Sequence, residues 1–140
     1  MKQNLDNLYL EMEQEGIRIV NYPFTHCKSI ALEQEKVVGI DLEQLADSAE
    51  EYTVLIHEKG HFDAGAFYDP DSSCLLRCQA ESRADRAAIR KYIPEKELQS
   101  LLKKGVCQRW ELAEHFGVTE DFMEKAIRYY RDVCGINFEQ

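Results

Sequence analysis

The sequence predicts an α+β fold in which a small antiparallel sheet is followed by a hairpin of two helices and a helical C-terminal tail. Three observations carry this. Short runs rich in Ile, Val and Tyr cluster between residues 17 and 42, the composition of strands. From Ser48 onward apolar residues recur at helical spacing instead. A turn-rich break at Tyr68-Asp69-Pro70-Asp71-Ser72-Ser73 divides the first helical stretch from the next, and Pro94 closes that second one.

The elements follow in order. Leu5, Leu8, Tyr9 and Met12 stand at helical spacing in an otherwise charged amino terminus, and Gly16 ends that pattern. Ile17 to Tyr22, Ser29 to Gln34 and Val37 to Leu42 read as the strands. Ser48 starts a second helix through a capping-box pattern, Ser48-Ala49-Glu50-Glu51, ahead of Tyr52-Thr53-Val54-Leu55-Ile56. Ser72 or Ser73 caps a third. The rest is helical by pattern: Leu98, Leu101 and Leu102, then Trp110 to Phe116, then Thr119 to about Cys134, with Gly105 and Gly117 as stops.

A chain of 140 residues fits one compact core, here divided into a core over 1–94 and a tail over 95–140. The composition, 44% hydrophobic and 31% charged, is that of a soluble globular protein, and no apolar run approaches the ~18 residues of a membrane span. The amino terminus has no continuous apolar stretch for secretion. Five cysteines, Cys27, Cys74, Cys78, Cys107 and Cys134, are odd in number, scattered and without a C-x-x-C pair, which predicts reduced core thiols in a cytoplasmic protein. A net charge of -9 speaks against a chain whose main work is gripping nucleic acid.

The chemistry concentrates at His57-Glu58-Lys59-Gly60-His61, an H-E-x-x-H pattern on a predicted helix. Residues at i and i+4 lie on one helix face, so two imidazoles can share one ion. Glu58 points about 100° round the helix from His57, beside the metal and not onto it, where it serves as general base toward water. Chance placement of these three residues is a rare event at this composition.

Catalytic zinc usually takes three protein ligands and keeps one position open, so a third ligand is expected. Glu81 is the candidate. At about 1.5 Å rise per residue, counted from the turn between Tyr68 and Ser72, His61 lies about 10 Å along its helix, His57 about 16 Å and Glu81 about 13 Å along the returning one. Asp85, one turn beyond Glu81, is placed to orient His57, because zinc-bound histidines give their second ring N–H to a carboxylate or carbonyl. Cys74 or Cys78 would be the substitute ligand, without matched Cys/His spacing. Two imidazoles and a carboxylate favour Zn2+, one per chain, over manganese or iron.

These residues, with Glu81-Ser82-Arg83-Ala84-Asp85 and a helix ending at Tyr92-Ile93-Pro94, resemble the ImmA/IrrE family of metallo-endopeptidases. The resemblance implies a zincin-like fold with the same order of elements. It places metal ligands at His57, His61 and Glu81, the general base at Glu58, and a small-residue contact at Ala84. It further implies regulatory cleavage of a helix-turn-helix repressor of a phage or mobile element. The chain departs from the family pattern at Lys59, where Leu is common, and at Arg86, Arg90 and Lys91 in a segment that is usually more apolar.

Tyr52, Tyr68, Arg83 and His115 are possible donors to a developing oxyanion. His115 and His26 otherwise read as surface or satisfied histidines. The substrate is expected to lie extended along a sheet edge.

The competing reading is an antirepressor or a DNA-associated regulator that acts by binding alone. Glu111-Leu112-Ala113-Glu114-His115-Phe116-Gly117-Val118-Thr119, with Phe122 and Ala126, resembles a helix-turn-helix. Residues 105–140 nevertheless hold four Lys/Arg against seven Asp/Glu, net -3, and the would-be recognition helix opens with Glu120, Asp121 and Glu124. DNA binding is therefore not expected, and the tail reads as packing or a substrate dock.

Overall fold

The computed structural model describes residues 2–137; the last three residues of the 95–140 tail lie outside them. Among the described residues it is a mixed α+β structure of six α-helices and one three-stranded sheet. Helix α1 (Lys2–Gln14) buries Leu5, Leu8 and Met12 along one stripe. Strands β1 (Arg18–Asn21), β2 (Ser29–Leu32) and β3 (Val37–Ile40) follow, then a 3₁₀ turn at Leu42–Gln44. Helices α2 (Ser48–Ala64) and α3 (Cys74–Tyr92) form the hairpin, and α4 (Glu95–Lys103), α5 (Arg109–Phe116) and α6 (Glu120–Arg128) form the tail. A single π-helical turn, Tyr129–Val133, ends the described helices. No helix among the described residues is long and apolar enough to cross a membrane.

The sheet corrects one expectation: it is mixed, not antiparallel. Its order is β1-β3-β2, with β1 parallel to β3 and β2 antiparallel to it. The chain between β1 and β2 crosses the face of β3 instead of turning back in a hairpin. Phe24 sits over Gly39 at the crossing, where a Cβ on that glycine would meet the ring at 2.9 Å. Asp41 accepts from Phe24 N–H, and the Gln44 amide donates to the carbonyls of Phe24 and Cys27, which pins the crossing segment down. Both β1 and β2 are left as edges.

The cap of α2 also differs in detail. Asp47 is the N-cap, accepting from Glu50 N–H at 2.9 Å, and the Glu50 carboxylate reaches back to Ala46 N–H at 2.8 Å. The reciprocal logic of a capping box is kept, shifted one residue toward the amino terminus. Ser73 caps α3, while Ser72 holds the turn by accepting from Asp69 N–H. Gly105 and Gly117 end α4 and α5.

Among the described residues one buried cluster joins α1, β3, the hairpin and the tail. It runs from Leu8 and Met12 of α1 through Val38 and Ile40 of β3, Leu55 and Ile56 of α2 and Ile89 of α3 to Leu112, Phe116 and Met123 of the tail. The tail therefore shares the core of the hairpin. A second departure concerns the cysteines: all five are exposed, free thiols on the surface and not core residues. Alanines take the buried positions of α3, at Ala80, Ala84 and Ala88. Cys74 and Cys78 fall on that helix's outer face.

Lys59 reaches the interior by a different route. Its side chain is fully buried, as an apolar residue there would be, yet its ammonium lies 2.6 Å from Asp63, 2.9 Å from Glu15 and 3.4 Å from Glu11. Lys91 of α3 joins the same cluster through Glu11. A buried charge is tolerable only when paired in this way. The cluster ties α1, α2 and α3 together directly behind the histidine pair.

Candidate metal centre

Helix α2 presents His57 and His61 on one face, their rings 4.9 Å apart and nearly perpendicular. Helix α3 returns alongside, so close that Gly60 rests against the carbonyl of the buried Ala84. That contact brings Glu81 level with the histidines. Glu81 Oε1 lies 2.7 Å from His57 Nε2, and Oε2 lies 3.4 Å from His61 Nε2.

The donor set fits a metal ion in both geometry and chemistry. The ligand atoms of His57, His61 and Glu81 all lie within 4.8 Å of one another. A tetrahedral ion with bonds of about 2.0–2.1 Å requires donors about 3.3–3.4 Å apart, so small side-chain adjustments suffice. Tautomers fit as well. Asp85 Oδ1 accepts from His57 Nδ1 at 2.8 Å, and the Ala66 carbonyl accepts from His61 Nδ1 at 2.5 Å, which turns both Nε2 atoms toward Glu81. Two imidazole nitrogens and a carboxylate suit zinc. Neither Cys74 nor Cys78 joins this group.

The end of α2 builds one of these supports. Gly65 adopts φ +62°, so that Ala66 N–H bonds the His61 carbonyl and Gly65 N–H bonds that of Phe62, a Schellman closure. The same turn aims the Ala66 carbonyl at the His61 ring. Tyr68 lies just beyond, its hydroxyl donating to Glu81 Oε2 at 2.8 Å.

Glu58 sits beside the donor group, 6% exposed, and accepts from the Ser29 hydroxyl of β2 at 2.5 Å. Burial raises its pKa, against the lowering pull of Ser29 and of the two histidines. His57 moves the other way. Burial alone would depress it, but the hydrogen bond and charge of Asp85, with Glu58 and Glu81 nearby, bring it to about 9. Burial likewise pushes Glu81 and Asp85 up. The Tyr68 hydroxyl and the histidines outweigh it at Glu81, and His57 and Lys125 outweigh it at Asp85, so both carboxyls lie below their ordinary range.

Of the four oxyanion-donor candidates only Tyr68 lines the cavity at the centre. Tyr52 is buried edge-on against Tyr92, Arg83 donates to the Ala64 carbonyl, and His115 pairs with Glu97. The cavity, about 260 Å³, is bounded by β2 on one side and by Glu58, His61, Tyr68 and Glu81 on the other. A longer groove of about 980 Å³ continues from it past Leu32 and Tyr68, between the β2–β3 turn and Arg83 and Arg86 of α3.

Two residues at the centre escaped the sequence reading. Ser29, 29 positions from Glu58, carried only the signal of a strand start, and Lys125, 40 positions from Asp85, donates to that carboxylate at 2.9 Å. Comparison of the chain with protein-family models, curated proteins and solved structures finds no match.

Proposed function

We propose that this chain is a cytoplasmic zinc-dependent endopeptidase of zincin-like build, making a regulatory, site-specific cut in a protein partner. The reading rests on one observation above all: a buried carboxylate, Glu58, held by Ser29 beside two histidines and a glutamate whose donor atoms converge. His57, His61 and Glu81 would hold the ion. Bound there, zinc would supply Lewis acidity toward a peptide carbonyl and toward water.

The chain's own residues account for the rest. Glu58 takes a proton from the attacking water and returns it to the leaving amine, and its raised pKa suits a group that must both accept and donate. Asp85 and the Ala66 carbonyl hold the two imidazoles in place, and Tyr68, which lines the cavity, would donate to the developing oxyanion.

The substrate segment docks along β2. Asp41 N–H bonds Lys28 C=O on the β3 side, and antiparallel alternation then turns the main-chain groups of Ser29 and Ala31 away from β3, toward the cavity. An extended peptide would add there as a further strand and continue into the groove. The resemblance to ImmA/IrrE proteins nominates a helix-turn-helix repressor of a phage or mobile element as that partner.

Metal content tests the reading. The purified protein is expected to carry one divalent metal per chain, and Glu81→Ala to keep its circular dichroism while losing affinity by more than about 100-fold, beyond what loss of a ligand's hydrogen-bonding partner costs. Zinc held by Glu81→Ala as tightly as by the parent would put the third ligand elsewhere.

No useful affinity for duplex DNA is expected. Helices α5 and α6 are joined by the three residues 117–119, but Arg109 and Arg128 are engaged by Glu124 and Lys125 by Asp85, and α6 opens on Glu120 and Asp121. A low-salt gel-shift titration checks this; binding tighter than about micromolar with a steep salt slope would revive the regulator reading.

A further inference from the structure

We propose that Lys125 is a positioning residue of the metal centre, through which helix α6 fixes the orientation of His57. The proposal rests on the metal-binding reading above and extends it into the tail. Asp85 uses both carboxylate oxygens: Oδ1 lies 2.8 Å from His57 Nδ1, and Oδ2 accepts from Lys125 Nζ at 2.9 Å. A carboxylate held at one oxygen can still pivot about its side-chain torsions, and a bond to the second oxygen removes that freedom. Asp85 is largely covered, with 18% of its side chain exposed, so it has little water to substitute for the ammonium.

Helix α6 is itself anchored to the helix that bears His57. Thr119 N–H donates to the Thr53 hydroxyl of α2 at 3.0 Å, one turn before His57, while the Thr119 hydroxyl caps α6 by accepting from Phe122 N–H. Met123 and Ala126 of α6 are buried in the common core. The base of the Lys125 side chain is therefore fixed relative to both α2 and α3. Its neighbour Arg128 turns to Glu124 instead, which leaves Lys125 as the α6 cation directed at the centre.

The sign of the effect separates positioning from simple charge. Removing a cation near a metal site strengthens cation binding by Coulomb's law alone. Removing a residue that holds a ligand's partner in place weakens it.

The experiment measures the zinc affinity of the full chain by chelator competition at neutral pH, for the parent, Lys125→Met, Lys125→Arg, Asp85→Asn and the Lys125→Met/Asp85→Asn double variant. Lys125→Met is expected to weaken zinc binding roughly 3–10-fold, less than the 10–100-fold typical of a ligand's direct partner, as Asp85→Asn should show. Lys125→Arg is expected to restore the parental value, since it keeps the charge-assisted bond. In the Asp85→Asn background Lys125→Met should have no further effect, which a general loss of stability would not produce.

Unchanged or tighter zinc binding by Lys125→Met overturns the proposal while leaving the metal centre standing. So does a weakening that persists at full size in the Asp85→Asn background. A parent that takes up no zinc overturns the metal-centre reading itself, and this inference with it.

Discussion

Glu58→Gln is expected to retain zinc, fold and partner binding while losing cleavage of the partner proposed above, a helix-turn-helix repressor, by several orders of magnitude. Gln keeps the shape of the side chain and can still meet the Ser29 hydroxyl, which lies 2.5 Å from Glu58 Oε2. What it loses is the ability to accept the water's proton and pass it to the leaving nitrogen. General acid–base catalysis is worth roughly 10²–10⁴-fold on its own, and in the proposed mechanism one group performs both transfers. His57→Ala should differ in kind, losing metal and cleavage together because it removes a proposed ligand. The readout is fragment formation by mass spectrometry alongside zinc content. Near-parental cleavage by Glu58→Gln would sink the peptidase mechanism. If neither parent nor variant cleaves but both inactivate the repressor, the chain acts by binding alone, as an antirepressor.

Local and near-local relations in this chain are open to reading from sequence, because helical geometry converts spacing into distance. His57 and His61 share a face because they are four residues apart, and Glu81 and Asp85 reach them because the nine residues from Gly65 to Ser73 turn the chain back and α3 packs along α2. The helix-rise count places Glu81 between the two histidines, and in the structure its two oxygens face one histidine each. Both links depend on a rise per residue that varies little between proteins.

Relations across the sheet and the tail follow no such rule. Ser29 meets Glu58 only because the segment after β1 crosses β3 at Gly39 and sets β2 down on the α2 side, a path that strand propensity does not encode. Consecutive strands suggest a hairpin by default, and the parallel pairing of β1 with β3 breaks that default. Lys125 is similar: in sequence it is one of four Lys/Arg in the acidic stretch 105–140, and only the docking of Thr119 onto Thr53 turns it toward Asp85. The exposed cysteines mark another limit. A small, sulfur-bearing side chain is often buried, but the alanines of α3 already fill the narrow space against α2, and Cys74 and Cys78 are left on the far face. Lys59 shows the converse, a charge in the interior that becomes intelligible only once Glu11, Glu15 and Asp63 are seen around it.

Gly60→Ala is the second change with a large expected effect, and it acts on the spacing of the hairpin instead of on any ligand. A Cβ at position 60 would lie 2.1 Å from the Ala84 carbonyl oxygen, 2.9 Å from its carbon and 3.2 Å from its Cα. These are backbone atoms of a neighbouring helix, so no rotamer change relieves the contact, and α2 and α3 must separate by about an ångström to restore van der Waals distance. In an exposed helix the same substitution stabilises by about 1 kcal/mol through helix propensity. Here overpacking against backbone, typically 1–3 kcal/mol and sometimes more, outweighs it. We expect a fall in melting temperature on the order of 2–8 °C. Separation of the helices also draws Glu81 away from His57 and His61, so zinc affinity should fall along with stability. Gly65→Ala is the control: a Cβ there meets nothing within 4 Å, and its cost is the roughly 1–2 kcal/mol of a left-handed backbone at φ +62°. Ala84→Gly should not rescue Gly60→Ala, because the clash is with the carbonyl of residue 84 and not with its methyl group. A Gly60→Ala protein that melts and binds zinc like the parent would mean that the two helices do not touch at this point.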